Sequence, residues 1–281
     1  MQFNYDYPLF RPPAEANNII LQVTLGCSYN NCSFCSMYKS KKFTIKSLDT
    51  IYKEIDILAL NYPSTTKIFL ADGDALALNS EYLLKILQYL NKKFIKLRRV
   101  SLYASTQNIL SKTTDELEFL YKNNLKLIYF GIESGNDVIL NKITKGVDQN
   151  EIIKSLNMVS KSNIKISATV ILGIAGKNYV SEHIKDTAYI INNTNINYLS
   201  TLQLWLEDDA IDKFYNNFKD FIPLNDMEMI IEQRRFIELL NPNNKVIFRS
   251  NHASNALHLS GTLPKDKTRL LEELDMVCDL S

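Results

Sequence analysis

Apolar runs alternate along this chain with stretches of helical period. Residues 19–25 (Ile19-Ile20-Leu21-Gln22-Val23-Thr24-Leu25) form a strand-like run that ends at Gly26. Residues 48–60 then carry Ile51, Ile55, Leu58 and Ala59 at helical spacing, and Pro63 stops them. The same alternation recurs. Strands are expected at residues 67–71, 100–104, 125–130, 164–172 and 198–206. Between them fall a helix capped by Asn79 with Leu83, Leu84, Leu87 and Leu90 on one face, and one from Thr114 using Leu117, Leu120 and Tyr121. Two more follow, one from Asn150 with Ile152, Ile153, Leu156 and Val159, and one capped by Ser181 that runs to Ile191.

Six strand–helix units in this order predict an α/β fold, a parallel sheet covered by helices. The strands are rich in Ile, Val, Leu and Tyr with little alternation, as strands buried on both faces are. The count fits a (β/α)6 partial TIM barrel, and a doubly wound open sheet fits the same pattern. After residue 206 the pattern changes. Helices are expected at 208–219 and 226–240, then a short strand at 245–249, a polar stretch, and a last helix with Pro264 at its first position and Leu270, Leu271 and Leu274 inward. The expected organisation is a lead-in over 1–18, a core over 19–206, and a small, mainly helical C-terminal extension over 207–281.

Composition narrows the function class. Of 281 residues 46% are apolar, enough for a full core, and the formal net charge of +1 supplies no basic field for nucleic acid. Lys39, Lys41, Lys42 and Lys46 cluster locally and read as a solvated loop, the alternative being help with an anionic substrate or partner. The N-terminal residues lack a signal-peptide pattern, and no apolar run approaches the roughly 20 residues of a membrane span. No Walker-type loop is present, and Gly173-Ile174-Ala175-Gly176 is too short for a dinucleotide fingerprint. The expectation is a cytoplasmic protein without membrane or nucleic-acid partners.

Of the four cysteines, three fall within the nine residues C-S-Y-N-N-C-S-F-C: Cys27, Cys32 and Cys35. This is no disulfide framework and points to a reducing compartment. Thiolates favour zinc or an iron–sulfur cluster. Structural zinc takes four protein ligands, whereas Cys278, His183, His252 and His258 are all distant in sequence. Three thiolates and one open iron position suit a [4Fe–4S] cluster that binds a further ligand. A zinc loop or plain structural thiols are the alternatives. Gly26, Gly73, Gly131, Gly135, Gly173 and Gly176 follow expected strands, where parallel α/β folds bind ligands.

The stretch G-C-S-Y-N-N-C-S-F-C-S-M-Y resembles the cluster-binding loop of the radical S-adenosylmethionine (SAM) superfamily. The usual spacing there is C-x3-C-x2-C with an aromatic before the third Cys. Phe34 supplies the aromatic, and the first gap here is x4. The wider stretch looks like a branch near the oxygen-independent coproporphyrinogen oxidases and methylthiotransferases. The resemblance implies that Cys27, Cys32 and Cys35 hold a [4Fe–4S] cluster. It sets Asp72-Gly73-Asp74 at a G-G-E-like turn, with Asp74 as acidic partner of the SAM ammonium. Gly131-Ile132-Glu133-Ser134-Gly135 matches a G-x-E-S-G segment, so that Glu133 and Ser134 look towards the SAM ribose or methionine part. Gly173 and Gly176 lie in the turn that packs on adenine, and Ser105 is a weaker polar candidate.

The implied activity is reductive cleavage of SAM to a 5′-deoxyadenosyl radical that takes hydrogen from a small molecule. An electron donor such as flavodoxin or ferredoxin would supply the electron. The alternatives are a non-catalytic iron–sulfur or zinc protein in electron transfer or cluster assembly, and a radical SAM fold that uses SAM as a methyl or aminocarboxypropyl donor. Finally, Arg249-Ser250-Asn251-His252-Ala253-Ser254-Asn255 resembles a run in uncharacterised members of that branch. It is expected to close the open side of the barrel, with Arg249 and His252 facing substrate or the SAM carboxylate; a polar turn in which Asn and Ser satisfy backbone groups is the alternative.

Overall fold

The computed structural model describes residues 5–279, so the first four residues of the expected lead-in lie outside the described residues. In chain order the elements are β1 (Ile19–Gln22), β2 (Thr24–Leu25), β3 (Thr44–Ile45), α1 (Leu48–Asn61), β4 (Lys67–Ala71), α2 (Ser80–Lys93), β5 (Arg99–Ala104), α3 (Thr106–Leu110), α4 (Thr114–Lys122) and β6 (Leu125–Glu133). They continue with α5 (Asp137–Lys142), α6 (Gln149–Lys161), β7 (Lys165–Leu172), α7 (Val180–Asn192), β8 (Tyr198–Gln203), α8 (Asp208–Asn217), α9 (Asp226–Leu239), β9 (Val246–Ser250), β10 (Leu259–Leu263) and α10 (Lys267–Asp279). The fold is mixed α/β with a mostly parallel eight-stranded sheet in the order β1-β4-β5-β6-β7-β8-β9-β10. No helix among the described residues is long and apolar enough to cross a membrane.

Two compact units are distinguished: Met1–Asn30 with Met37–Phe130 and Met158–Lys165, and Asn31–Ser36 with Gly131–Asn157 and Ile166–Ser281. In the first, β1, β4, β5 and β6 pair in parallel, with Ile19 opposite Ile68, Ile68 opposite Val100, and Val100 opposite Leu125. Every residue of β4 except Lys67 is buried, as its unbroken apolar run requires. Asn79 caps α2 as expected, its side chain accepting the Glu81 N–H, and Leu83, Ile86, Leu87 and Leu90 turn inward. The strand expected at 19–25 divides at Val23. The Val23 N–H donates to Ala71 O (2.6 Å), and Thr24–Leu25 leaves to pair antiparallel with Thr44–Ile45. The helices α3 and α5 were not anticipated, because each is too short to show a period.

The lead-in is tied down by one buried carboxylate. Glu15 accepts from Ser101 Oγ (2.9 Å), Tyr129 OH (2.6 Å) and Arg99 Nη2 (2.7 Å) and has no exposed surface.

In the second unit β7, β8 and β9 are parallel and β10 returns antiparallel to β9. Their two faces differ. Ile166, Ala168, Val170 and Leu172 are buried and alternate with half-exposed Ser167, Thr169 and Ile171, and β8 alternates in the same way. That corrects the expectation of strands with little alternation. The buried face meets the helices: Ser250 Oγ lies 3.3 Å from Gln233 Oε1 on α9, and a Cβ on Gly261 would stand 3.1 Å from Leu270 on α10.

Strand β8 stops at Gln203, short of residue 206, because a side chain takes over its hydrogen bonds. Asn255 accepts the Gln203 N–H (2.9 Å) and donates to Thr201 O (2.8 Å). Helix α7 starts at Val180 after a 3-10 turn, Lys177–Tyr179, and has no side-chain cap, so Ser181 is not its cap. Pro264 precedes α10 by a turn in which Asp266 accepts the Thr262 N–H (2.8 Å), so the helix begins at Lys267. Strand β10 was not anticipated, since L-S-G-T-L offers no apolar run.

Replacing Glu15 with Ala would leave two buried hydroxyls and the Arg99 guanidinium without an acceptor. The variant is expected to lose about 3–5 kcal/mol of stability in denaturant unfolding. A loss below about 1 kcal/mol would show that the cluster is only a surface-grade ion pair.

Candidate functional site

In the first unit the end of β4 organises the approach to Cys27. The Asp72 carboxylate is fully buried and pairs with Lys41 Nζ at 2.8 Å, itself 3% exposed at the side chain. The same Oδ2 accepts the Gly26 N–H (3.1 Å) and Gln22 Nε2 (3.3 Å). The Gly73 N–H donates back to Gly26 O (3.1 Å), so Gly26 is held from both sides directly before Cys27. A Cβ at Gly73 would stand 2.4 Å from the Tyr38 ring, which is why only glycine fits there. Burial, then the Asp72 carboxylate, push the Tyr38 phenol well up. Lys41, expected in a solvated loop, is therefore an interior ion-pair partner. Lys46 likewise pairs with Glu54, both nearly buried.

Asp74 is 1% exposed. Its Oδ2 accepts from Ser28 Oγ (2.7 Å), from Ser105 Oγ (3.1 Å) and from Asn108 Nδ2, while Oδ1 is buried with no partner. Burial pushes this carboxyl up to about 6, against the pull of those three hydrogen bonds. Ser105 also caps α3 by accepting the Asn108 N–H (3.3 Å). That cap is what brings Asn108 to Asp74. A carboxylate oriented on one oxygen, with its other oxygen open, is a receptor for a cationic or hydrogen-bond-donating group.

In the second unit Cys32, Phe34 and Cys35 are half-exposed. The backbone beside Cys32 is stitched to the turn after α5: the Ser33 N–H donates to Ile143 O (2.9 Å), and Thr144 Oγ1 donates to Asn31 O (2.7 Å). That turn delivers Lys145, whose Nζ pairs with Glu133 Oε1 at 2.9 Å. Burial alone pulls the Lys145 ammonium down, but the charges of Glu133, Cys32 and Cys35 outweigh it and the net shift is upward. Glu133 has φ 61°, the left-handed region, which costs a non-glycine residue roughly 1–2 kcal/mol. A Cβ at Gly131 would sit 1.9 Å from Glu133 Oε1, so glycine makes the room for that carboxylate.

Beyond Glu133, Ser134 Oγ shares a hydrogen bond with His183 Nδ1 (2.9 Å). His183 Nε2 faces Glu232 Oε1 at 3.8 Å, both buried and both without a hydrogen bond. Glu232 Oε2 in turn accepts the Gly173 N–H (2.6 Å). Burial pulls the imidazole down to about 4 and pushes the Glu232 carboxyl up to about 8, so both are neutral at pH 7. Gly173 and Gly176 both have positive φ, 78° and 61°, in the turn after β7. Thus Ser134 and the Gly173 turn are linked through two buried groups that spacing along the chain did not single out.

Arg249 is exposed on β9 and His252 is half-exposed in the following turn, where its Nδ1 accepts the Ser254 N–H (3.1 Å). The buried members of that stretch are Ser250 and Asn255.

All four cysteines are thiols, not disulfides. Among the described residues no group of three His, Cys, Asp or Glu side chains is gathered for a single metal ion. A sequence profile of the radical SAM superfamily matches residues 21–188, well over half of the chain. The chain belongs to the radical SAM superfamily. Over 181 residues it is 24% identical to a candidate methylthiotransferase of Methanocaldococcus jannaschii, covering 60% of this chain and 39% of that protein. It thus spans well under half of that relative's length.

Among solved structures this radical SAM chain is similar to coproporphyrinogen III oxidase from Escherichia coli (TM-score 0.58, 12% identity, 79% of this chain and 52% of that one). It is also similar to methylornithine synthase (TM-score 0.55, 11% identity, 92% and 81%). A third is a radical SAM methyltransferase from Kitasatospora setae, solved with cobalamin and a [4Fe–4S] cluster (TM-score 0.55, 13% identity, 66% and 36%). At these identities the structures speak for the fold. A [4Fe–4S] cluster and SAM are the cofactors of the superfamily and so of this chain. The residues present fit them: three thiols in nine residues, and a buried carboxylate with one unpartnered oxygen.

The Glu232 carboxyl titrates near its ordinary 4.5 when unfolded and near 8 when folded. A raised acid contributes its full stability below pH 4.5 and loses it as pH rises through 8. Glu232→Gln cannot ionise, so its stability relative to wild type is expected to rise between pH 5 and pH 8 by a few kcal/mol, on the order set by linkage. Thermal unfolding of both proteins at the two pH values checks this. An unchanged difference would mean that Glu232 is ionised in the fold.

Proposed function

We propose that this chain is a radical SAM enzyme that binds one [4Fe–4S] cluster through Cys27, Cys32 and Cys35 and removes hydrogen from a small molecule. The observation that carries the reading is Asp74: buried, fixed by Ser28, Ser105 and Asn108, with Oδ1 left for a cation. It stands in the turn that the superfamily uses for the SAM ammonium. When bound, the cluster and SAM supply one-electron reductive cleavage of a sulfonium and, with it, hydrogen-abstracting power that no side chain has.

The chain's own residues position and shield. The Asp72–Lys41 pair fixes the backbone ahead of Cys27, and the turn at 143–145 fixes the backbone around Cys32. Glu133, in its left-handed conformation, and Ser134, held by His183, are the candidates for the ribose or methionine part. Phe34 and the Gly173 to Gly176 turn are the candidates for the adenine side. In this reading residues 19–206 are the six strand–helix units of a partial barrel, residues 207–281 its extension, and Arg249 and His252 substrate-side groups. The working compartment is the cytoplasm, with a flavodoxin- or ferredoxin-type electron donor.

The test is anaerobic reconstitution, then incubation with SAM and dithionite. Formation of 5′-deoxyadenosine supports the reading. Methylthioadenosine or S-adenosylhomocysteine instead would assign SAM a donor role, and an intact cluster with no SAM product would leave an electron carrier. Cys27→Ala, Cys32→Ala and Cys35→Ala should each abolish the visible thiolate–iron absorption, while Cys278→Ala keeps it. Asp74→Ala should weaken SAM binding by roughly tenfold or more, the scale of a lost charge-assisted contact, at unchanged iron content. Unchanged SAM affinity in Asp74→Ala would remove the assignment of that turn.

A further inference from the structure

The strands of the second unit have a helix-covered face and a second face that carries a designed-looking row of polar groups. Register places Thr169 opposite Ser200, Ser200 opposite Arg249, and Arg249 opposite Ser260, across β7, β8, β9 and β10. These four residues are half-exposed or exposed, while their sequence neighbours Ala168, Leu199 and Phe248 are fully buried on the helix side. Apolar residues flank this row on the open face. Ile171 stands opposite Leu202 on one side, and Tyr198 opposite Ile247 on the other, where Ser167 and Thr262 end the row.

Arg249 therefore lies on an interior strand, not at an edge, and among the described residues it has no ion-pair or hydrogen-bond partner. Arg99 is engaged with Glu15, Arg234 with Asp275 and Arg269 with Glu273, whereas Arg98 and Arg235, like Arg249, have no side-chain partner among the described residues, but neither lies within a strand of the sheet. A guanidinium flanked by hydroxyls and framed by apolar residues is a receptor for a planar anion. It donates two parallel hydrogen bonds, the hydroxyls satisfy the remaining lone pairs, and the apolar frame lowers the local dielectric. One guanidinium balances one negative charge, which matches a carboxylate better than a phosphate dianion. Three adjacent strands span roughly 10 Å, the size of a small metabolite.

We propose that this open face is the substrate surface and that it recognises the substrate by a carboxylate bound to Arg249, with Ser200, Thr169 and Ser260 beside it. The proposal rests on the reading of the chain as a radical SAM enzyme of a small molecule, and it names the class of that molecule.

The test is binding of succinate, succinamide and inorganic phosphate to the reconstituted full chain by isothermal titration, with wild type, Arg249→Gln and Arg249→Lys. Wild type should bind succinate and bind uncharged succinamide at least roughly tenfold more weakly. Arg249→Gln should lose that difference at unchanged iron content and melting temperature. Arg249→Lys should recover only part, because lysine keeps the charge without the two-pronged geometry. The proposal is overturned if wild type shows no saturable succinate binding below about 10 mM, if it prefers phosphate, or if Arg249→Gln binds succinate as wild type does. It is also overturned if Arg249→Gln loses the cluster, which would make Arg249 a cofactor residue. Absence of 5′-deoxyadenosine in the earlier assay with succinate selectivity intact would sink the radical reading and leave the carboxylate site standing.

Discussion

The buried Asp72 carboxylate is the constraint on which the first unit's end of the site depends. A carboxylate without solvent is costly unless a cation and hydrogen-bond donors stand close. Here Lys41 supplies the cation, and Gly26 and Gln22 supply neutral donors. These contacts on Asp72 Oδ2 therefore fix where Gly26 lies, and Gly26 fixes how the chain enters Cys27. The division of the first strand at Val23 follows from the same arrangement. The backbone that would continue beside β4 turns away to pair with Thr44–Ile45, and the Thr24 hydroxyl accepts the Asp72 N–H (3.2 Å).

Two acids of one turn thus hold different segments. Asp72 meets Lys41, Gly26 and Gln22 through Oδ2 and sets the entry to Cys27. Asp74, two residues on, meets Ser28, Ser105 and Asn108 through Oδ2, and in both acids Oδ1 is buried without a hydrogen-bond partner. In the second unit the same logic appears with opposite sign. Lys145 brings a positive charge to Cys32 and Cys35 and is itself steadied by Glu133. Positive charge beside thiols favours their deprotonated, ligating form.

Much of this was legible in the sequence. The cysteine spacing, the glycines after strands and the alternation of strand and helix gave the α/β class and the superfamily resemblance, because each is a local signal. What stayed hidden was tertiary. Lys41 sits in a run of lysines that composition assigns to solvent, and only the fold shows its carboxylate, 31 residues away. Lys145, His183 and Glu232 belong to helices or turns with no motif of their own, and their roles arise from packing against Glu133, Ser134 and Gly173. Asn255 was noticed within a polar run, but the run was valued for Arg249 and His252, and nothing in its order reveals that Ser250 and Asn255 are its buried members. The termini of β8, α7 and α10 were missed for a related reason. A side chain, a 3-10 turn and an Asp266 turn set them, each a matter of a single hydrogen-bonding group.

The Asn255 carboxamide has a consequence for how such a chain can change over time. It closes β8 by taking the bonds that another strand would take, and it also donates to Ser250 Oγ (2.7 Å) at the end of β9. One side chain of the loop therefore secures the scaffold, with the Ala256 N–H donating to Gln203 Oε1 (2.9 Å), and the exposed Asn251, Ala253 and Ala256 contribute no side chain to that closure. Mutational drift in those positions leaves the sheet intact while altering what lies beside it. A lineage that keeps the asparagine can explore new chemistry at the rim without rebuilding its frame.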